Sequence, residues 1–235
     1  MMMRLSKVLG VRRIKIRNRI FSLGIIITGM LSLTFGVITF YGQNAGNMIM
    51  SVDPSAANRS IRVTIDPERK LLETRLMSEP IENARDITYS WIKLDEIVET
   101  YGNYVDEDHD YVAYTFYVVN NGMERVDLRY YIRITDVYNN LDEGIRVIVI
   151  DDGETTLYMK HDQTNDTYYP DSMPSAQHFV SSKIVMRKLI TNFKPGDYRK
   201  ISVVIYLEGF DPDTTDALMG GMIKMEMVFS VDDTE

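Results

Sequence analysis

The residue types nearest to chemistry in this chain are grouped in two acidic clusters. One is Asp106-Glu107-Asp108-His109-Asp110; the other is Glu208-Gly209-Phe210-Asp211-Pro212-Asp213, followed by Asp216. Alternating carboxylates supply the hard oxygen ligands of which calcium takes about six to eight. Asp211 and Asp213 open like an EF-hand loop, but the sixth position is Asp216 where that loop needs glycine, and the twelfth is Met222 where it needs glutamate. Asp106, Asp108, Asp110, Asp211, Asp213 and Asp216 are therefore calcium candidates by type and not by spacing. The competing and preferred reading is a solvated loop on an acidic surface, because runs of like charge are usually solvated. No other cofactor is expected.

Catalytic constellations are poorly represented. The chain has no cysteine, which excludes disulfides, thiolate zinc sites and cysteine nucleophiles together. His109, His161 and His178 lie far apart and form no H-E-x-x-H motif. Ser181, Ser182, His178 and Asp171 are close in sequence, yet no G-x-S-x-G elbow presents a nucleophile. Carboxylate-pair glycoside chemistry depends on a separation in space that sequence does not supply. Trp91 is the lone tryptophan, a ligand platform or a core residue. Tyr101, Tyr104, Tyr111, Tyr114, Tyr117, Tyr130 and Tyr131 either mark a recognition surface or reflect the preference of strands for tyrosine. The expectation is a protein without catalytic residues.

The elements that must position these residues read as strands. Ile201, Val203, Ile205 and Leu207 alternate with Lys200, Ser202, Val204 and Tyr206 at the period of two of a half-buried strand. Ile223, Met225, Met227, Phe229 and Val231 repeat the pattern, as do Leu128, Tyr130, Ile132 and Ile134, and also Ile61, Val63 and Ile65. Asn120-Asn121-Gly122 separates the runs 111–119 and 127–135, and Asp151-Asp152-Gly153 separates 145–150 from 155–160; both are hairpin-type turn sequences. Pro195-Gly196 precedes the strand at 198–207. Helical periodicity is confined to short stretches near 94–101 and 214–219, so no βαβ alternation arises. The pattern predicts an all-β fold, an antiparallel two-layer β-sandwich of immunoglobulin-like or jelly-roll-like type, over residues 60–235. With 45% hydrophobic residues, such a domain can bury its own core.

Ahead of it the composition changes. Residues 1–19 hold seven of the 26 basic residues and no acid, so the remaining 19 basic residues face 34 acidic ones at a balance of −15. Residues 20–41 carry no charge, and at about 1.5 Å per residue a helix of that length spans about 33 Å, enough for a bilayer core. The basic cluster on its N-terminal side predicts a cytoplasmic tail (1–19), a transmembrane signal-anchor helix (20–41), a juxtamembrane spacer with room for one short strand (42–59) and an extracytoplasmic domain. A cleaved signal peptide is the rival, but its apolar stretch is usually about 7–15 residues and ends in small residues, whereas this one ends in Phe40-Tyr41. Nucleic acid is excluded as a partner of the acidic body, which repels phosphate.

The segments Tyr111–Gly122, Lys194–Gly209 and Asp211–Phe229, after a span ending in FYGQNAGN, resemble a type of membrane-anchored surface protein of low-GC Gram-positive bacteria. The aromatic strand, the Asn-Gly turn and the Lys-Pro-Gly-Asp before another strand are also loosely similar to the TasA and camelysin group of β-sandwich matrix proteins. That resemblance implies a cell-surface β-sandwich protein, and together with the span at residues 20–41 the expectation is a membrane-held protein with a structural or protein-interaction role, its candidate partners another protein or a second copy of itself. Two alternatives stand beside it. One is a secreted fibre or matrix subunit released by cleavage near residues 43–46; the other is a carbohydrate-active or other hydrolase.

Overall fold

A computed structural model describes residues 21–36, 47–82, 84–161 and 175–231. The chain divides into two units, Met1–Ala45 and Gly46–Glu235.

In the first unit the described part is one helix (α1, residues 21–36). Its two threonine hydroxyls are satisfied by the helix itself: Thr28 donates to the Gly24 carbonyl and Thr34 to that of Met30, each at 2.9 Å. Among the described residues no helix is long and apolar enough to cross a membrane. Residues 1–20 and 37–46, which hold the basic tail and both ends of the expected span, lie outside the described residues.

The second unit is mostly strand: β1 (Met48–Val52), β2 (Ile61–Thr64), β3 (Arg75–Met77), β4 (Gly102–Tyr104), β5 (Val112–Asn120), β6 (Val126–Tyr138), β7 (Ile145–Asp151), β8 (Glu154–Met159), β9 (Gln177–His178), β10 (Ile184–Phe193), β11 (Tyr198–Leu207) and β12 (Met222–Val231). Two short helices, α2 (Pro54–Asn58) and α3 (Leu94–Glu99), accompany them. The strands form two sheets, one ordered β10-β6-β12-β1-β3 and one ordered β2-β5-β11-β7-β8-β9, with β4 also on β5. The sandwich-type all-β prediction holds. Its strictly antiparallel form does not, because β1 runs parallel to β12 and β9 parallel to β8.

Alternation explains the core between the sheets. Leu128, Tyr130 and Ile132 of β6, Met225, Met227 and Phe229 of β12, Phe116 and Val118 of β5, and Ile201 and Val203 of β11 meet there. Tyr130 and Phe229 stack at 5.6 Å between ring centres, and Phe116 meets Phe229 edge-on at 6.0 Å. Each such ring, fully buried, contributes about 1.5–3 kcal/mol.

Three local expectations are corrected. The short strand for which the 42–59 stretch had room is β1; because it pairs with β12 on one side and β3 on the other, the sheet begins ahead of residue 60, where the domain was expected to start. The Asn120-Asn121-Gly122 turn is not a hairpin: β5 and β6 belong to different sheets, and the Asn120 side chain holds the crossing by donating to the carbonyls of Glu124 and Phe193, both at 2.9 Å. A Cβ on Gly122 would stand 2.5 Å from the Arg59 carbonyl oxygen, so glycine is needed there for close approach. Finally, β11 is buried on both faces, since Val204 and Tyr206 pack with Ile87, Ile92 and Ile97 of the segment that crosses the outside of the larger sheet. The Asp152-Gly153 hairpin joins β7 to β8 as expected, with φ of 53° and 87°.

Candidate functional site

The polar features converge on one end of the sandwich, where β5 and β7 begin and β11 ends. Two depressions lie there. The larger, about 560 Å³, has a floor of Val112, Ile145, Ile205 and Ile223, with Leu141, Leu218 and Ile81 beside them. The smaller, about 220 Å³, is lined by Glu79, Glu82, Asn103, Tyr104, Asp106, His109 and neighbours. They share Ile81, Asp110, Tyr111 and Val112 as a common wall and together form one cleft. Such an apolar floor with a few placed polar groups is the usual form of a binding site.

The loop after β11 closes one side of the cleft. Its backbone is tied by Glu208 N–H to the Gly144 carbonyl at 3.0 Å, Gly209 N–H to that of Ile87 at 2.8 Å, and the Thr214 hydroxyl to that of Glu208 at 2.8 Å. A Cβ on Gly144 would lie 2.5 Å from the Thr214 hydroxyl oxygen, which is why the loop can lie so close to the start of β7. Beneath it Arg146, 1% exposed, forms an ion pair with Asp211 at 2.7 Å. Glu208 is buried next to this pair. Burial pushes its carboxyl above the ordinary value, and the Phe210 amide, the Thr88 and Tyr206 hydroxyls and the Arg146 charge only partly offset that. The Tyr206 hydroxyl is also pushed up, first by burial and then by the Glu208 charge.

The other cluster is organised by Lys93. Its ammonium lies 3.3 Å from Asp106 and 3.4 Å from Asp108. Burial would raise the Asp106 carboxyl, but the Asp108 amide, the Tyr111 hydroxyl at 2.9 Å and Lys93 bring it below the usual range. Tyr104 donates to Glu96 at 2.6 Å, and burial together with that bond pushes its hydroxyl up to about 12.

The six calcium candidates are thus dispersed. Asp106 and Asp108 share Lys93, Asp211 is committed to Arg146 and to the Asp213 amide at 2.8 Å, and Asp110 and Asp216 stand exposed on the cleft wall. Among the described residues no three His, Cys, Asp or Glu side chains are grouped to hold a metal ion. His161 and His178 stack on each other at 3.6 Å, while His109 stacks on Trp91 at 5.0 Å. Trp91 is half exposed and not core. Ser181 accepts the amides of Lys183 and Ile184, a turn role, and Asp171 lies outside the described residues.

The tyrosines divide. Tyr114 and Tyr130 are core, while Tyr101, Tyr117 and Tyr198 form a row on the outer face of the larger sheet beneath two cations, with Arg69 3.9 Å above Tyr198 and Lys200 4.9 Å above Tyr101. Sequence reasoning overlooked Arg146. The available signal was one charged residue in the otherwise apolar run 145–150, since a cation in a buried strand needs a partner.

No family model matches the chain, and no curated protein matches it. Among solved structures it is similar to a β-glucosidase from Kluyveromyces marxianus in complex with glucose, at 12% identity and a TM-score of 0.24 over 74% of this chain. The aligned part is 16% of that enzyme's length, and a likeness at this level carries no argument.

Proposed function

We propose that this chain is a single-pass surface protein, its N-terminus cytoplasmic, its sandwich domain outside, and its role that of a non-catalytic interaction module. The observation that carries the reading is the charge partition: seven basic residues, then 22 uncharged positions from 20 to 41, then a body at −15. The basic cluster sets orientation. The internally satisfied hydroxyls of Thr28 and Thr34 are what a helix in lipid requires.

Contact through the faces and the end cleft suits this domain better than strand addition to form a fibre. Among the described residues the long edge strand is β10, and its pairing with β6 is broken by register shifts at Ile184/Met186 and Ile190/Phe193. It also carries Arg187 and Lys188 in its middle. Bulges and edge cations are devices that blunt edge pairing.

Protease added to intact cells, followed by mass measurement of the membrane-bound remnant, tests the reading. We expect the sandwich to be digested and the basic segment to remain in the membrane fraction. A protected sandwich, or a soluble species beginning near Asn44, refutes it.

A further inference from the structure

We infer that the end cleft binds a basic, amphipathic polypeptide segment, one that alternates Lys or Arg with apolar side chains. This deepens the interaction-module reading and rests on it, while its test is independent of topology. Three observations on the cleft combine. Its floor is built from the apolar side chains Val112, Ile145, Ile205 and Ile223, and Ile81 and Val112 line both depressions. At its mouth Met219 is 73% exposed and Met222 38%, flexible thioethers of the kind that adapt to varied apolar partners. Its walls carry Glu79, Glu82, Asp86, Asp106, Asp110 and Asp216 against one basic lining residue, Arg85.

Charge complementarity selects the occupant. Glu79, Glu82, Asp86, Asp110 and Asp216 are exposed, and the Asp86 carboxylate lies so close to Gly209 that a Cβ there would meet it at 2.8 Å. Lys93 serves Asp106 and Asp108 and leaves the rest of the wall negative. An anionic or neutral apolar ligand would pay for that field, whereas a cationic segment is steered in by it. An apolar floor with an acidic rim also matches the anatomy of a protein interface, whose centre is apolar and whose margin is polar. A free ammonium would satisfy the rim and leave the exposed Met219 and Met222 side chains uncovered. A segment satisfies both.

Trp91, the lone tryptophan, stacks on His109 in the wall of the smaller depression and is a built-in reporter. The test titrates the full chain in neutral maltoside micelles with the peptide acetyl-LKLKLKL-amide and follows Trp91 emission. The comparisons are the acetyl-LELELEL-amide peptide and spermidine. We expect a saturable response to the lysine peptide that weakens with added salt. Neutralising two exposed acids together (Glu82→Gln with Asp110→Asn) should weaken it roughly 2- to 30-fold, at the ordinary worth of two exposed ion pairs. Met219→Ser should weaken it without altering its salt dependence. An equal response to the glutamate peptide, an equal affinity for spermidine, no saturable response, or unchanged binding by the double acid variant overturns the inference. The protease result on cells is unaffected by any of these outcomes, so failure of the cleft and failure of the tether are read separately.

Discussion

Replacing Arg146 with methionine tests the buried charge cluster that supports the cleft. Arg146 is 1% exposed and the Asp211 side chain is fully buried, with 2.7 Å between them. Removing one partner of a buried pair leaves an uncompensated charge and costs about 3–5 kcal/mol. Here the cost should reach the upper part of that range, because the guanidinium also moderates Glu208. The size of the loss should depend on pH. Burial raises Glu208 in the folded state, so between the unfolded and folded values the native protein holds more protons than the unfolded chain, and stability falls as pH rises through that interval. Without Arg146 one of the restraining charges is gone and the interval widens. The Arg146→Met penalty is therefore largest near pH 7 and shrinks as the pH falls toward the ordinary glutamate value of about 4.3. Urea unfolding of wild type and variant, followed by Trp91 emission at matched pH values, measures it. Acid-labile contributions from Asp106 and Glu226 cancel in the difference. A loss below about 1 kcal/mol, set against the expected 3–5, or a loss equal at pH 4.5 and pH 7, would refute the reasoning. Arg146→Met combined with Asp211→Leu should recover the part of the loss that comes from the orphaned Asp211 charge and leave the pH-dependent part that comes from Glu208.

Three further outcomes follow from the same geometry. Glu208→Gln should stabilise the domain at pH 7, with the gain fading toward pH 4, as chemical unfolding across that range will show. Tyr130→Phe removes the hydroxyl that β6 donates to buried Asp151 of β7 and should cost about 1–3 kcal/mol in thermal unfolding, moderated because Arg199 also lies 3.4 Å from that carboxylate. Gly122→Ala drives a methyl into the Arg59 carbonyl, so a loss of about 1–3 kcal/mol is expected, whereas Gly153→Ala, with open space around it, should show only the smaller strain of its positive φ.

Period-two alternation made β6 and β12 legible in the sequence, because one face of each is core and the other is solvated. It misled on β11, where Val204 and Tyr206 were assigned to the outer side. That side is buried as well, under Ile87, Ile92 and Ile97, and no local pattern in β11 encodes a cover supplied by residues more than 100 positions away. β10 was missed since Arg187 and Lys188 interrupt its apolar run, as suits an edge. The Asn-Gly turn signal was real as a chain reversal, yet whether the next strand joins the same sheet depends on the buried Asn120 amide and its carbonyl partners. The acidic clusters were legible as clusters. Their roles were not, because the cations that decide them, Lys93 and Arg146, come from other parts of the chain.

The two ends of the sandwich are built differently: the end where β5 finishes carries a depression of about 250 Å³ lined by Asp152, Asn192, Asp197 and Arg199, and the opposite end one of about 560 Å³ with an apolar floor. At the end where β5 finishes and β11 starts, Asn120 is fully buried and ties β5 to the β10 terminus and to the turn, and the Gly196 amide donates to the Asn120 carbonyl at 2.8 Å. On the outside of the larger sheet, the 87–99 segment and the Tyr101, Tyr117 and Tyr198 row under Arg69 and Lys200 occupy the surface. On the outside of the smaller sheet, Glu226 accepts from Ser51 at 2.7 Å and pairs with Arg133. Its long edge is bulged and cationic. At the opposite end the buried Ile205 and Ile223 line a larger gap, at which Met219 and Met222 are exposed and which a wall of acids surrounds. The Arg146–Asp211 pair, buried beneath the loop that closes one side of that end, carries a desolvation cost that an apolar pair of similar volume would avoid, so the Arg146→Met and Asp211→Leu double variant reads how much of the loop's hold comes from charge and how much from packing.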